Sequence, residues 1–325
     1  MSDSELTAIE EWSSGRASKS GVANATPTKE AACRPTSTLF SSHFTSSRMI
    51  SCPSALALAG SRGSATPRSS VSVAQIFLDC PSERRFLRFA RARLGHLFPY
   101  IPKQSGYNKR VRVLAPQLCL LISALARNSP SFCDRLRLLD STPVPCAASR
   151  ETVKRSELAG HAAYGYCAAH SRYFWGFRLY LLCSPDGMPH GFCLAPANQP
   201  EREVAAALLE RMRNSGALHG DELVIGDKGF AGEQFEQIVR SLAHAFLRPD
   251  RRNEQPRHGS LGGIRQWIES IIDTAKGQLS LERHGGRTLA GVWARICQRV
   301  LALATGVWHN WQTGQPGRSF TAYDH

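Results

Sequence analysis

The sequence predicts an α/β protein, with a mixed β-sheet flanked by helices, a small helical domain before it and a disordered segment at the start. Three observations carry this. Apolar runs of strand length alternate with stretches of helical period through the second half of the chain. A strong turn signal, "SPDGMP" at Ser184–Pro189, joins two apolar, aromatic runs into a hairpin. Residues 1–72 hold 18 serines and no sustained periodicity, a composition that buries too little apolar surface to offset chain entropy.

The boundaries follow the composition. Residues 1–72 form the serine-rich segment, 73–132 a basic helical region, 133–311 the α/β domain and 312–325 a tail. In 73–132, "PSERRFLRFARARLGHLFPYIP" offers Ser82 as N-cap and an apolar side of Phe86, Phe89, Ala90 and Leu94. Arg84, Arg88 and Arg91 recur at helical spacing, and Pro99 and Pro102 end the pattern. "SGYNKRVR", with Lys109 and Arg110, leads to a second helix at about 115–126.

Arg135–Asp140, "RLRLLD", reads as a strand ending on an acid, and 141–171 as irregular. Tyr173–Leu182 and His190–Ala195 are the hairpin strands. Glu201–Asn214 is an amphipathic helix, Leu223–Ile225 a strand, Ala231–Ala243 a helix and Ala245–Leu247 a brief strand. A Gly/Pro/Arg-rich loop leads to a last helix over Ile264–Lys276, with Ile264, Ile268, Ile271 and Ala275 as its apolar stripe and Trp267 and Ile272 at the edges.

Charge narrows the partner. Forty Lys and Arg against 26 Asp and Glu give +14, with a pI near 9.7. The first 72 residues hold seven basic and five acidic groups, so +12 belongs to the rest. A field of that sign selects nucleic acid or an anionic membrane. The most apolar stretches, 114–126 and 289–311, are too short to span or are interrupted by Arg295 and Arg299, and no secretory signal pattern opens the chain. The ten cysteines contain no C-x-x-C pair, and several lie in apolar runs, the pattern of reduced thiols in a cytoplasmic protein. DNA is the expected partner, and no membrane.

Two carboxylates, Asp140 and Asp227, stand just after strands of one proposed sheet, where sites form in such folds. Asp227 lies in "ELVIGDKGFAG", where an aspartate also commonly begins a turn or caps a helix. Glu269 flanks the last helix's apolar stripe, with Arg265 one turn before and Lys276 two turns after, so it can face the two aspartates across the sheet. A surface ion pair with Arg265 is the plainer reading of Glu269, and Asp273, one turn on, is the competing acid. Three converging carboxylates need a cation between them. Hard oxygen ligands suit Mg²⁺ or Mn²⁺, and two such ions promote in-line phosphoryl displacement.

Asp140 in "LLDSTPVP", Asp227 in "IGDKGF" and Glu269 in "RQWIESIIDTAKGQLSLERHGGRT" resemble the DDE triad of bacterial insertion-sequence transposases. Arg265, Glu269 and Lys276 match the spacing of that family's glutamate signature, although Gly262 stands where the family has tyrosine. The resemblance spans about residues 73–311. It implies an RNase H-like catalytic domain in which Asp140, Asp227 and Glu269 are catalytic and hold two Mg²⁺ or Mn²⁺ ions. It implies cleavage at transposon ends followed by attack of the freed 3′ hydroxyl on target DNA. Arg265 and Lys276 would contact DNA phosphates. Synapsis of two ends implies a homo-oligomer, and the setting implied is the bacterial cytoplasm, at the nucleoid. The charge runs add Arg84, Arg88, Arg91, Lys109, Arg110, Arg251, Arg252, Arg283 and Arg287 as candidate DNA contacts. Residues 1–72 do not resemble the family's helical start, which leaves two alternatives open: an inactive, decayed transposase that only binds DNA, or a cellular RNase H-like nuclease.

Overall fold

The computed structural model describes residues 49–51, 66–98, 100–167, 171–251, 254–255 and 261–323, all within one unit that begins at Arg48. Most of the serine-rich segment and Arg252 lie outside the described residues. The elements in chain order are β1 (Ile50–Ser51), α1 (Thr66–Phe77), α2 (Glu83–Arg93), α3 (Gln104–Arg127), β2 (Leu136–Ala147) and α4 (Arg150–Lys154). They continue with β3 (Ala163–Cys167), β4 (Arg172–Cys183), β5 (Pro189–Pro196), α5 (Glu201–Asn214), β6 (Leu223–Ile225) and α6 (Glu233–Leu242). The last are β7 (Ala245–Leu247), α7 (Gly262–Lys276) and α8 (Leu289–Gln312).

The sheet runs β1-β5-β4-β2-β6-β7, with β3 paired to β4 off this path. The β5-β4-β2 half is antiparallel, and β6 and β7 join β2 in parallel. Three antiparallel strands followed by two parallel ones, with helices on both faces, is the RNase H-like arrangement. One face of the sheet, with Leu139, Tyr180, Leu182, Cys193 and Ala195, packs against Val204, Leu208 and Leu209 of α5 and Phe235 and Val239 of α6. On the other, Phe192 stacks on Trp293 of α8 at 5.3 Å. Because β5 is covered on both faces, all eight of its residues are buried and it shows no alternation.

Several expectations change. Residues 66–72, counted with the serine-rich segment expected to be disordered, open helix α1, where Val71 and Ser72 are buried, and 289–312, read only as an apolar stretch, is helix α8. The basic stretch and the second helix are one continuous helix, α3, with Pro116 inside it. Proline in a helix interior removes one hydrogen bond, and here the packing of α3 along α8 holds the helix through that gap. Strand β2 does not end at Asp140; it runs on to Ala147, and 163–167 forms β3 where irregular chain was expected. The reason is one-sided pairing. Partners on β6 stop at Leu138, while β4 pairs with β2 as far as Ala147. Pro143 and Pro145, which lack a ladder donor, fit a strand with only one neighbour.

Helix α8 ties the helical region to the rest. Arg299, buried on α8, donates from Nε to the Ser280 carbonyl at 2.9 Å and from Nη2 to the Arg283 carbonyl at 3.3 Å. Burial lowers the pKa of that guanidinium, to about 9. Of the two charges that interrupt this apolar run, Arg299 therefore anchors the turn that follows α7, while Arg295 pairs with Glu83 of α2. No helix among the described residues is long and apolar enough to cross a membrane.

Candidate active site

The site forms where β2 and β6 part. Leu138 pairs with Ile225 in parallel, and Asp140 and Asp227 each lie two residues further along, so register alone sets them side by side. Gly226 makes the exit from β6 possible. A Cβ there would meet the Phe246 ring at 2.9 Å and the Phe230 ring at 3.2 Å, and the Gly226 N–H instead donates to the Leu247 carbonyl at 3.0 Å. Asp227 precedes the short 3₁₀ turn Lys228–Phe230, but its side chain makes no capping hydrogen bond. Capping therefore does not account for this aspartate.

Helix α7 supplies the third acid. Ile264, Ile268, Ile271, Ile272 and Ala275 are buried, which turns Arg265, Glu269 and Lys276 along the flank toward β2 and β6. Asp140, Asp227 and Glu269 all line one cleft of about 600 Å³, together with Arg265 and Lys276. Arg265 links two of the acids: its Nη2 lies 3.2 Å from Asp227 Oδ1 and 3.1 Å from Glu269 Oε1. The plain reading of Glu269, an ion pair one turn apart, thus holds alongside its place in the cleft. Its side chain is 54% exposed, so the pair alone adds little stability. Asp273 lines the same cleft.

The electrostatics are those of an under-neutralised acidic pocket. Burial pushes the Asp140 carboxyl up to about 7; the Ser141 N–H, donating at 2.7 Å, pulls it down, Asp227 and Glu201 raise it further, and Arg265 lowers it. Asp227 Oδ1 is buried and has no hydrogen-bond partner among the described residues; the Arg265 nitrogen is near but poorly aligned. A buried carboxylate oxygen that has an ion-pair partner but no hydrogen bond, beside a carboxyl whose pKa burial raises, fits a hard divalent cation, which would satisfy the first and favour the charged form of the second.

Among the described residues, the group whose ligand atoms already lie within one ion's reach is elsewhere: His219, Asp221 and Glu222, before the start of β6. Its acceptors are engaged in closing a turn. Glu222 takes the His219 and Gly220 N–H groups at 2.7 and 2.8 Å, and Asp221 pairs with Arg135 at 3.3 Å. Burial raises the Glu222 carboxyl, but those backbone hydrogen bonds and Arg137 outweigh it and hold the group below its usual range.

Of the basic residues marked in the sequence, Arg265 and Lys276 reach the cleft. Arg84, Arg88, Lys109 and Arg287 are exposed. Arg91 donates to the Pro102 carbonyl at 2.7 Å, Arg251 to the Ala231 carbonyl at 3.3 Å, and Arg283 pairs with Asp79 at 3.0 Å. Arg110 lies over the Tyr100 ring, 5.0 Å from its centroid. Two cleft residues escaped the sequence reading. Glu201, the first residue of α5, pairs with Arg178 of β4 at 2.8 Å and accepts from the Ser141 hydroxyl at 3.4 Å. A glutamate in a first helical turn resembles ordinary dipole compensation, but an arginine inside the apolar β4 run is a signal that a buried partner exists.

No curated protein and no solved structure matches this chain. Residues 131–304, more than half of its length, match the family model described as the transposase DDE domain. That span begins just before β2 and ends within α8, so it contains the whole cleft. With its RNase H-like sheet and an Asp, Asp and Glu drawn from β2, the end of β6 and α7 into one cleft, this chain belongs to the DDE-domain transposases.

Proposed function

We propose that this transposase acts at the ends of an insertion sequence, hydrolysing a phosphodiester at each end and then joining the freed 3′ hydroxyl to target DNA. The observation that carries the reading is the convergence of Asp140, Asp227 and Glu269, far apart in sequence, on one cleft. When bound, two Mg²⁺ or Mn²⁺ ions held by these three carboxylates supply an activated attacking oxygen and neutralise the leaving one.

The chain's own groups do the rest. Arg265 holds Asp227 and Glu269 together against their repulsion before a cation enters. The Ser141 N–H fixes one oxygen of Asp140, and Asp140 gives up its proton as the acids are neutralised. Lys228 and Lys276, which also line the cleft, hold phosphate oxygens of the bound strand. The exposed basic groups Arg84, Arg88, Lys109 and Arg287 contact the backbone further along the double-stranded DNA. Transposition at two ends calls for at least two copies of the chain, working at the nucleoid.

A plasmid assay tests this. Full-length protein, supercoiled DNA carrying the flanks of its own gene, and Mg²⁺ or Mn²⁺ are combined, and cut ends and joined products are mapped. End-specific 3′ hydroxyls that appear joined to new sites are expected. Cutting at branched structures without joining would make the chain a nuclease instead, and binding without cutting would make it an inactive relative.

A further inference from the structure

The ribbon formed by β3 and β4 carries a feature that phosphoryl transfer does not use. Along β3 the residues alternate: Ala163, Gly165 and Cys167 face inward, and Tyr164 and Tyr166 face out. The inward face is held tightly. A Cβ on Gly165 would lie 2.7 Å from both the Cβ and the carbonyl oxygen of Ala197, and Cys167, Phe174 and Ala197 form a small core of their own. Tyr173 of β4 pairs with Tyr166, and their rings are 5.1 Å apart.

Three tyrosines therefore share one outward face of a pinned ribbon. Tyr164 is 53% exposed, Tyr166 45% and Tyr173 77%. Their hydroxyls meet no hydrogen-bond partner among the described residues. Tyr166 also lines the catalytic cleft, so the face is continuous with Asp140 and its neighbours. Arg178 fixes the junction by donating to the Tyr166 carbonyl at 2.5 Å while paired with Glu201. Arg172 lies at the same end, its side chain 53% exposed and its guanidinium 3.5 Å from Glu282.

We propose that Tyr164, Tyr166 and Tyr173 form a stacking platform for unpaired nucleotides of the DNA strand that passes through the cleft. This rests on the reading of the cleft as a DNA site. Every base offers a flat π face, so stacking on tyrosine is indifferent to sequence, while the cleft's lysines and arginines hold the backbone. The platform selects DNA whose strands have separated beside the cleft.

The test uses the full chain and two labelled DNAs in EDTA: a blunt duplex of about 20 base pairs, and the same duplex with a 3′ extension of about eight thymidines. Wild type is expected to bind the extended DNA about tenfold more tightly than the blunt one. The double variant Tyr164→Ala/Tyr173→Ala, at the two positions outside the cleft lining, should lose that preference with blunt-duplex affinity held within about twofold, and Tyr164→Phe/Tyr173→Phe should keep it. Tyr173→Ala alone, at the most exposed position, guards against misfolding and should lose part of the preference. No preference in wild type, or one that survives in the Ala pair, overturns the proposal. So does equal loss of affinity for both DNAs, or a change confined to self-association in the ultracentrifuge, which would assign the face to a protein contact. Plasmid cutting and joining by the same wild-type preparation reports separately on the cleft, so failure of the platform and failure of the transposase reading are told apart.

Discussion

Asp227→Asn, and separately Asp140→Asn and Glu269→Gln, are each expected to slow cutting and joining at least about a thousandfold while leaving DNA affinity intact or higher. The amide keeps the size and shape of each side chain and removes the charge that a cation needs. Each substitution also removes a negative charge from a cleft that receives a polyanion, so binding does not suffer. The three positions differ in what else they lose. Glu269 is half-exposed and, among the described residues, paired only with Arg265, so its change costs little stability; the buried Asp227 Oδ1 lies in a tighter setting. Asp273→Asn is the informative control, because Asp273 lines the same cleft one turn beyond Glu269. It should retain activity within about tenfold of wild type, since loss of a nearby charge perturbs the field without removing a ligand. Single-turnover cleavage and filter binding at fixed salt measure both quantities. Equal losses at Asp273 and Glu269 would mean that the third acid has been assigned to the wrong turn of α7.

Asp140→Asn should make the metal-free protein more stable at pH 8 even as it destroys activity. Burial raises the folded-state pKa of Asp140 from 3.8 to about 7, so the folded chain binds this proton more tightly than the unfolded chain does. Stability from the group is therefore full below about pH 4, falls as pH rises toward about 7 and is flat beyond. A shift of that size corresponds to at most about 4 kcal/mol. Asparagine carries no such pH dependence. Denaturant titrations in EDTA should show the gap between variant and wild type opening from pH 4 to pH 7 and then holding constant. Added Mg²⁺ should narrow it by binding the wild type alone. A gap that stays constant from pH 4 to pH 8 would mean that Asp140 is ordinarily solvated and that the pocket places no strain on its charge.

The scaffold was legible where local pattern and tertiary role agree. Helix α5 and strands β6 and β7 have the same limits in sequence and structure, because their apolar periodicity is also their burial. It failed where neighbours decide. Pro143 and Pro145 look like the end of a strand, and nothing local reveals that β2 has a partner on one side only. Pro116 looks like a helix start, and only packing along α8 carries α3 through it. Among the residues that line the cleft, Asp140, Asp227 and Glu269 were legible because each ends or flanks an apolar element. Glu201 and Arg178 were not, since their partnership spans 23 positions and joins a helix start to mid-strand. Surface arginines look alike in sequence, yet Arg91, Arg251 and Arg283 already serve carbonyls or Asp79.

Cation binding by the full chain, without DNA, shows whether the cleft acids hold an ion. Mn²⁺ is titrated into the protein and the signal of the free ion followed by electron paramagnetic resonance at several pH values. Binding should strengthen as pH rises through about 7, level off above it, and disappear in Asp140→Asn and Asp227→Asn, while Asp221→Asn in the turn before β6 binds as wild type does. Binding untouched by the cleft substitutions, or abolished by Asp221→Asn, would move the ion to the turn and leave the cleft without the chemistry assigned to it.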